Sequence, residues 1–181
     1  MTMDKEKLKH CILFFLERIN NVHMGRKKLM KLLYYVDFDH YETFGKPVTG
    51  AVYKKLEHGP VPVNVAGVIE DMIKKGELRQ VLVRRGPYEQ HRLVTISAKF
   101  DPTKFSGDEL ETLQKVATDW ENANGGEIEA QSHVEAPWQA TPFGKVIDYE
   151  LALYRKPTER EPVDEVLTKS KRFKAYVQSL P

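Results

Sequence analysis

Apolar residues recur at helical spacing through most of the chain and alternate at strand spacing in its middle, and that pattern sets the order of elements. Leu8, Ile12, Phe15, Leu16 and Ile19 return every three or four positions, which predicts a first helix over roughly Asp4–Ile19. Asn20-Asn21 breaks it. A second helix from about Arg26 to Tyr41 carries Leu29, Leu32, Leu33, Val36 and His40 along one stripe, and Phe44-Gly45-Lys46-Pro47 closes it with Gly45 as a left-handed cap. Ala51-Val52-Tyr53 reads as a short extended piece. Pro60 and Pro62 fix their own φ and push their predecessors toward extended geometry, so Gly59-Pro60-Val61-Pro62 is a stiff entry to a third helix. That helix turns Val65, Val68, Ile69, Met72 and Ile73 inward and ends at Gly76.

Leu78–Arg85 and His91–Ile96 favour strand and are joined by Gly86-Pro87-Tyr88-Glu89-Gln90, the signature of a hairpin. Ser106-Gly107-Asp108-Glu109 is a capping box ahead of Leu110, Leu113, Ala117 and Trp120 on one helical face. Asn124-Gly125-Gly126 stops that helix, and a short one from Glu127 to about Val134 ends before Pro137-Trp138. The class of the segment from Thr141 to Leu153 stays open. Arg155–Pro162 reads as a polar linker, and Asp164–Gln178 as a charged, weakly amphipathic helix. The sum is α+β: a mostly helical single domain over residues 1–155 with one inserted β-hairpin, then a linker and charged helix over 156–181.

Composition narrows the function classes. The 28 basic and 26 acidic side chains leave a net charge of only +2, so any nucleic-acid footprint has to be local. The single cysteine, Cys11, rules out an intramolecular disulfide framework and any cysteine-based zinc site. It lies in His10-Cys11-Ile12-Leu13-Phe14-Phe15-Leu16, as a small core hydrophobe would. That apolar run is too short to cross a bilayer and lacks a signal-peptide cleavage site, so the expectation is a cytoplasmic protein without a membrane partner.

Catalytic patterns are missing. There is no Gly-rich phosphate loop, no Gly-x-Ser-x-Gly elbow and no His-Glu-x-x-His. No two of the six histidines lie three or four apart on one helix; a metal would need a distributed site, such as His58, His91 and His133 with a carboxylate. The expectation is therefore no catalytic residue, no metal and no cofactor. Three helices followed by a hairpin carrying Arg84, Arg85 and Arg92 also outline a winged helix. In that alternative Lys27, Lys28 and Lys31 would meet phosphates. Against it, the third helix offers Glu70 and Asp71 midway and only Lys74 and Lys75 at its end.

The second helix is two-sided. Met30, Tyr34, Asp37 and Tyr41 share one face while Leu29, Leu32, Leu33 and Val36 take the other, so it is either central and packed all round or lines a groove. Its Lys27, Lys28 and Lys31 come early and its Asp37, Asp39 and Glu42 late, against the helix dipole. These charges serve something besides the helix.

The run Lys31-Leu32-Leu33-Tyr34-Tyr35-Val36-Asp37, then Gly45-Lys46-Pro47-Val48-Thr49-Gly50, Tyr53 and His58-Gly59-Pro60-Val61-Pro62, resembles the Panacea domain, the SocA-like antitoxin or phage-associated domain. Ser132-His133-x-Glu135-x-Pro137-Trp138 and Ile147-Asp148-Tyr149-Glu150-Leu151-Ala152 resemble its C-terminal signature, so the likeness runs from about Leu29 to Leu153. The resemblance implies a non-enzymatic antitoxin of a bacterial or phage toxin–antitoxin pair that binds a cognate protein toxin directly, in some members delivering it to a protease or adaptor. Tyr34, Asp37, Tyr41 and Tyr53 are then expected as partner anchors, with His58, Gly59 and Pro60 holding the adjoining loop stiff and His133 and Trp138 nearby. The toxin's identity, the stoichiometry and the oligomeric state stay open at this level.

Overall fold

The computed structural model describes residues 2–155; the linker after Arg155 and the charged helix expected at Asp164–Gln178 lie outside the described residues. In chain order the elements are α1 (Lys5–Arg18), α2 (Arg26–Phe44), β1 (Tyr53–Leu56), β2 (Gly59–Pro62), α3 (Val65–Lys74), β3 (Leu78–Arg85) and β4 (Tyr88–Thr95). These are followed by α4 (Gly107–Trp120), α5 (Gly125–His133), α6 (Ala136–Gln139), β5 (Val146–Ile147) and a 3-10 turn over Tyr149–Tyr154. The class is α+β.

The second helix is the central one. Eleven of its nineteen residues are buried, which no single stripe at 3.6-residue spacing produces, and it touches α1, α4, α5, β2, β4 and the 3-10 turn. Gly45 caps it at φ 69°, its N–H donating to the Tyr41 carbonyl at 2.9 Å. Burial takes the early lysines as well. Lys28 is fully buried, its ammonium donating to the Glu121 and Ala123 carbonyls at 2.9 and 2.7 Å, so it closes the open C-terminal end of α4. Lys31, 1% exposed, donates to the Pro60 carbonyl at 2.7 Å. Neither ammonium is placed to meet a phosphate.

Two expectations about the sheets change. Gly59–Pro62 is a strand, not a helix entry: β2 pairs antiparallel with β1, Tyr53 opposite Pro62 and Leu56 opposite Gly59, and β1 pairs with β5 on its other side. Two prolines place β2 at the edge of this three-stranded sheet, where a missing N–H breaks no ladder. The inserted hairpin is present, but β4 starts at Tyr88 and leaves only Gly86-Pro87 as the turn. Gly86 at φ 58° followed by a residue fixed at negative φ is the sequence a II′ turn takes.

Asn124-Gly125-Gly126 separates α4 from α5 by starting the second helix: Asn124 accepts from the Gly126 and Glu127 N–H groups, and Glu127 completes a second capping box. At Ser106 the expected box forms with Glu109, and that carboxylate also receives Lys7 from α1 at 2.6 and 2.8 Å. Burial favours the neutral acid, but the Lys7 ammonium and the Ser106 N–H outweigh it and hold Glu109 below the ordinary carboxylate range. A lowered folded pKa gives stability that is present above the unfolded-chain value and is lost as the pH falls through the folded one. Glu109→Gln is expected to lower unfolding free energy by about 1–3 kcal/mol at neutral pH. The gap to wild type should close below about pH 4, read by urea denaturation across that range. A gap of the same size at all pH values would refute this account.

Candidate functional site

The residues singled out in the sequence fall into two groups on either side of the molecular surface. Tyr34, Asp37 and Tyr53, expected as partner anchors, are 0, 0 and 1% exposed and offer no face to a partner in this fold. Asp37 instead sits in a cage. Its Oδ1 accepts the Thr49 N–H at 2.6 Å, and its Oδ2 lies 2.8 Å from the Tyr53 hydroxyl and 3.2 Å from that of Tyr149, with the Thr49 hydroxyl also donating. Burial pushes the carboxyl up and the donors from Thr49, Tyr53 and Tyr149 pull it back, with burial prevailing. The cage ties α2 to the Pro47–Ala51 loop, to β1 and to the C-terminal 3-10 turn.

Tyr34 belongs to a second buried network. Its hydroxyl donates to Glu135 Oε2 at 2.8 Å, and Arg155 grips the same carboxylate with Nε and Nη2, each at 3.0 Å. Arg155 also pairs with Asp39 and lies 5.1 Å from the centre of the Tyr35 ring. It therefore does not begin an exposed linker; its side chain is 6% exposed. Tyr41 is half-buried, stacked on Tyr149 with its hydroxyl donating to Glu150 at 2.7 Å.

The other group is superficial. His58 is exposed, with Nδ1 3.0 Å from Glu129. His133 stacks on Trp138 with centroids 4.3 Å apart, while the Trp138 indole N–H donates to the Leu56 carbonyl at 3.3 Å and Lys55 sits 4.0 Å above the ring. Gly59 and Pro60 run beneath them. Gly59 has φ 87°, and a Cβ there would lie 2.7 Å from Ser132 Oγ and 2.8 Å from Lys31 Nζ, so both conformation and space demand glycine. Burial lowers the Lys31 ammonium to about 8 against the pull of Glu129.

No catalytic arrangement emerges from these groups. Cys11 is buried in α1, and burial first, then the negative field of Asp37, raises its thiol, the opposite of nucleophile activation. His58, His91 and His133 are engaged separately, with Glu129, Gln80 and Trp138. Among the described residues no group of three or more His, Cys, Asp or Glu is placed to hold a metal ion, and no helix is long and apolar enough to cross a membrane. Thr49 and Tyr149 complete the Asp37 cage and Arg155 the Glu135 pair, roles the sequence does not announce because each depends on contacts between residues a dozen to more than a hundred positions apart.

Asp37→Ala is expected to cost about 3–5 kcal/mol by stranding buried donors, and Asp37→Asn less, because the amide oxygen can keep the Thr49 N–H and its two N–H groups can donate to two of the three hydroxyls. Chemical denaturation giving wild-type stability for Asp37→Ala would contradict the cage. Gly59→Ala should destabilise by about 2–3 kcal/mol, against about 1 kcal/mol for Gly45→Ala, since a Cβ at Gly45 meets nothing within 4 Å. Equal thermal shifts for the two would remove the steric argument.

A family model described as "Antitoxin SocA-like, Panacea domain" matches residues 29–139, from α2 through α6. It covers the cage residues up to Tyr53 and the His133–Trp138 pair, and it stops before the Ile147–Ala152 stretch that resembles the family's C-terminal signature. No curated protein and no solved structure matches the chain. With more than half of its length matched, the chain belongs to the SocA-like Panacea-domain antitoxin family.

Proposed function

We propose that the protein is the antitoxin of a cytoplasmic toxin–antitoxin pair, of bacterial or phage origin, and that it neutralises a cognate protein toxin by direct contact without a reaction of its own. The observation that carries this reading is the Panacea-domain match over residues 29–139. Delivery of the captured toxin to a protease or its adaptor would act on the same complex.

The surface supports a contact role. On the outer face of the β2-β1-β5 sheet, Val146 lies opposite Lys54, and Val52 and Leu56 flank Lys54 two residues away on either side. Val146 is 55% exposed and the neighbouring Phe143 69%. Isolated exposed apolar side chains are ordinary, but adjoining ones mark contact surfaces. His58, two residues beyond Leu56, is the exposed member of the expected site, while Trp138 is half-buried beneath Lys55. A DNA-binding role is the weaker reading, since Lys28 and Lys31 are spent on backbone carbonyls.

Co-expression with the adjacent open reading frame tests the proposal. The neighbour alone should stop growth and the pair should restore it; a neighbour harmless by itself would count heavily against an antitoxin. Phe143→Asp with Val146→Lys should weaken capture of the toxin by about ten-fold or more with an unchanged melting temperature.

A further inference from the structure

The two small sheets treat their edges differently. In β2-β1-β5, the outer strand β2 carries Pro60 and Pro62 and the outer strand β5 is two residues long, and both devices keep an edge from pairing. The hairpin has neither. β3 runs eight residues, Leu78–Arg85, without proline and in one-to-one register with β4, so no bulge turns it aside. Its partner strand is the anchored one. β4 packs on α1 and α2, and its Gln90 and Arg92 side chains donate to the Val22 and Asn21 carbonyls at 3.2 and 2.9 Å.

The ladder sets which backbone groups of β3 stay open. The Ile96 N–H donates to the Glu77 carbonyl at 2.9 Å, one step before the first strand pair of Leu78 with Thr95. Hydrogen-bonded pairs alternate along an antiparallel ladder, so Arg79, Val81 and Val83 turn their N–H and C=O toward β4, while Gln80, Leu82 and Arg84 turn theirs away. Among the described residues no hydrogen bond meets these outward groups. Leu82 is 54% exposed, and Gln80 and Arg84 are exposed on either side of it.

The open edge is also charged. β3 holds three arginines and no carboxylate. Arg79 and Arg84 are exposed and form no ion pair among the described residues, although Glu89 lies opposite Arg84 in the ladder. Side chains at odd and even positions leave opposite faces of a strand. Arg79 and Arg84 therefore cannot both meet a phosphate backbone lying on one face, but each can reach a carboxylate on a strand laid along the edge. A second copy of the chain would set arginines against arginines, and like charges across a sheet repel. We propose that the open edge of β3 takes an extended, acidic segment of the protein partner as a third strand. Backbone pairing holds the segment, and its carboxylates beside Arg79 and Arg84, with an apolar side chain against Leu82, select it. The inference rests on the direct-contact reading and adds to it a recognition element and a partner chemistry.

The full chain is titrated at low salt into a labelled Glu-Val-Thr-Val-Thr-Val-Glu peptide, followed by fluorescence anisotropy, with Lys-Val-Thr-Val-Thr-Val-Lys as control. Saturable binding of the acidic peptide alone is expected. Leu82→Pro removes an outward N–H without breaking a bond to β4, so it should weaken binding about ten-fold or more at an unchanged melting temperature. Should that variant not fold, Arg79→Glu/Arg84→Glu carries the test, and its preference should reverse to the lysine peptide. No binding by wild type, equal binding of the two peptides, full binding by folded Leu82→Pro, or no reversal overturns the proposal. A dimer in sedimentation that Leu82→Pro dissociates gives the edge to a second copy. A DNA duplex bound more tightly than the acidic peptide, and lost in the arginine variant, gives it to nucleic acid. Either result overturns the proposal. In co-expression, a folded Leu82→Pro that neutralises the toxin as well as wild type does removes the added strand while the direct-contact reading stands. A wild type that binds the peptide yet fails to neutralise sinks that reading, and the partner assignment falls with it.

Discussion

The buried carboxylate of Asp37 is the constraint around which the domain is arranged. A charge-bearing group at the centre of a helix with no access to water must find its partners in the protein, and Asp37 takes them from three directions. Thr49 comes from the loop after α2, Tyr53 from β1 and Tyr149 from the last 3-10 turn. Each partner lies in a segment with weak intrinsic structure: a loop, a four-residue strand and a single short turn. Their common acceptor fixes their positions relative to α2, and the sheet β2-β1-β5 follows, because β1 is its central strand.

The Arg155–Glu135 pair repeats the device at the other end of the same helix face. Burying two charges rarely adds net stability over an apolar pair, so its contribution is better sought in specificity of assembly. Glu135 precedes α6, Arg155 follows the 3-10 turn, and Tyr34 joins both to α2. With Lys28 on the end of α4 and Lys31 on β2, α2 is a helix whose polar groups are turned inward to receive loops and chain ends. That explains why its charges run against its own dipole. They answer to carbonyls and carboxylates elsewhere, and a fraction of a kcal/mol in dipole energy is small beside a charged hydrogen bond of about 1.5–3 kcal/mol.

Local chemistry made much of this legible in sequence. The capping box at Ser106, the Gly45 cap, the inward stripe of α3 and the existence of the hairpin after α3 each rest on contacts within a few residues, and the structure has them, with a turn shorter than the five residues expected. The β1–β2 pair was hidden because Gly59-Pro60-Val61-Pro62 lacks the alternation of a strand; it pairs at a sheet edge, where prolines are tolerated. Tyr34 and Tyr53 could be placed on a helix or strand but not assigned to core or surface. Tyrosine suits both, and only Glu135 and Asp37, distant in sequence, decide the matter.

That outcome separates scaffold from recognition. Within the stretches that resemble the family, Lys31, Tyr34, Tyr35, Asp37, Pro47, Val48, Thr49, Gly50, Tyr53, Gly59 and Pro60 are buried. Residues in such positions touch one another and cannot distinguish one protein partner from another. At the surface the same scaffold holds other groups, among them the exposed apolar side chains of Leu56, Phe143 and Val146 and the exposed carboxylates of Asp108 and Glu111. A fold fixed by inward-facing polar groups leaves such positions free to vary at small cost, since surface substitutions usually shift stability by less than about 0.5 kcal/mol. The same frame can thereby present different contact chemistry without being rebuilt.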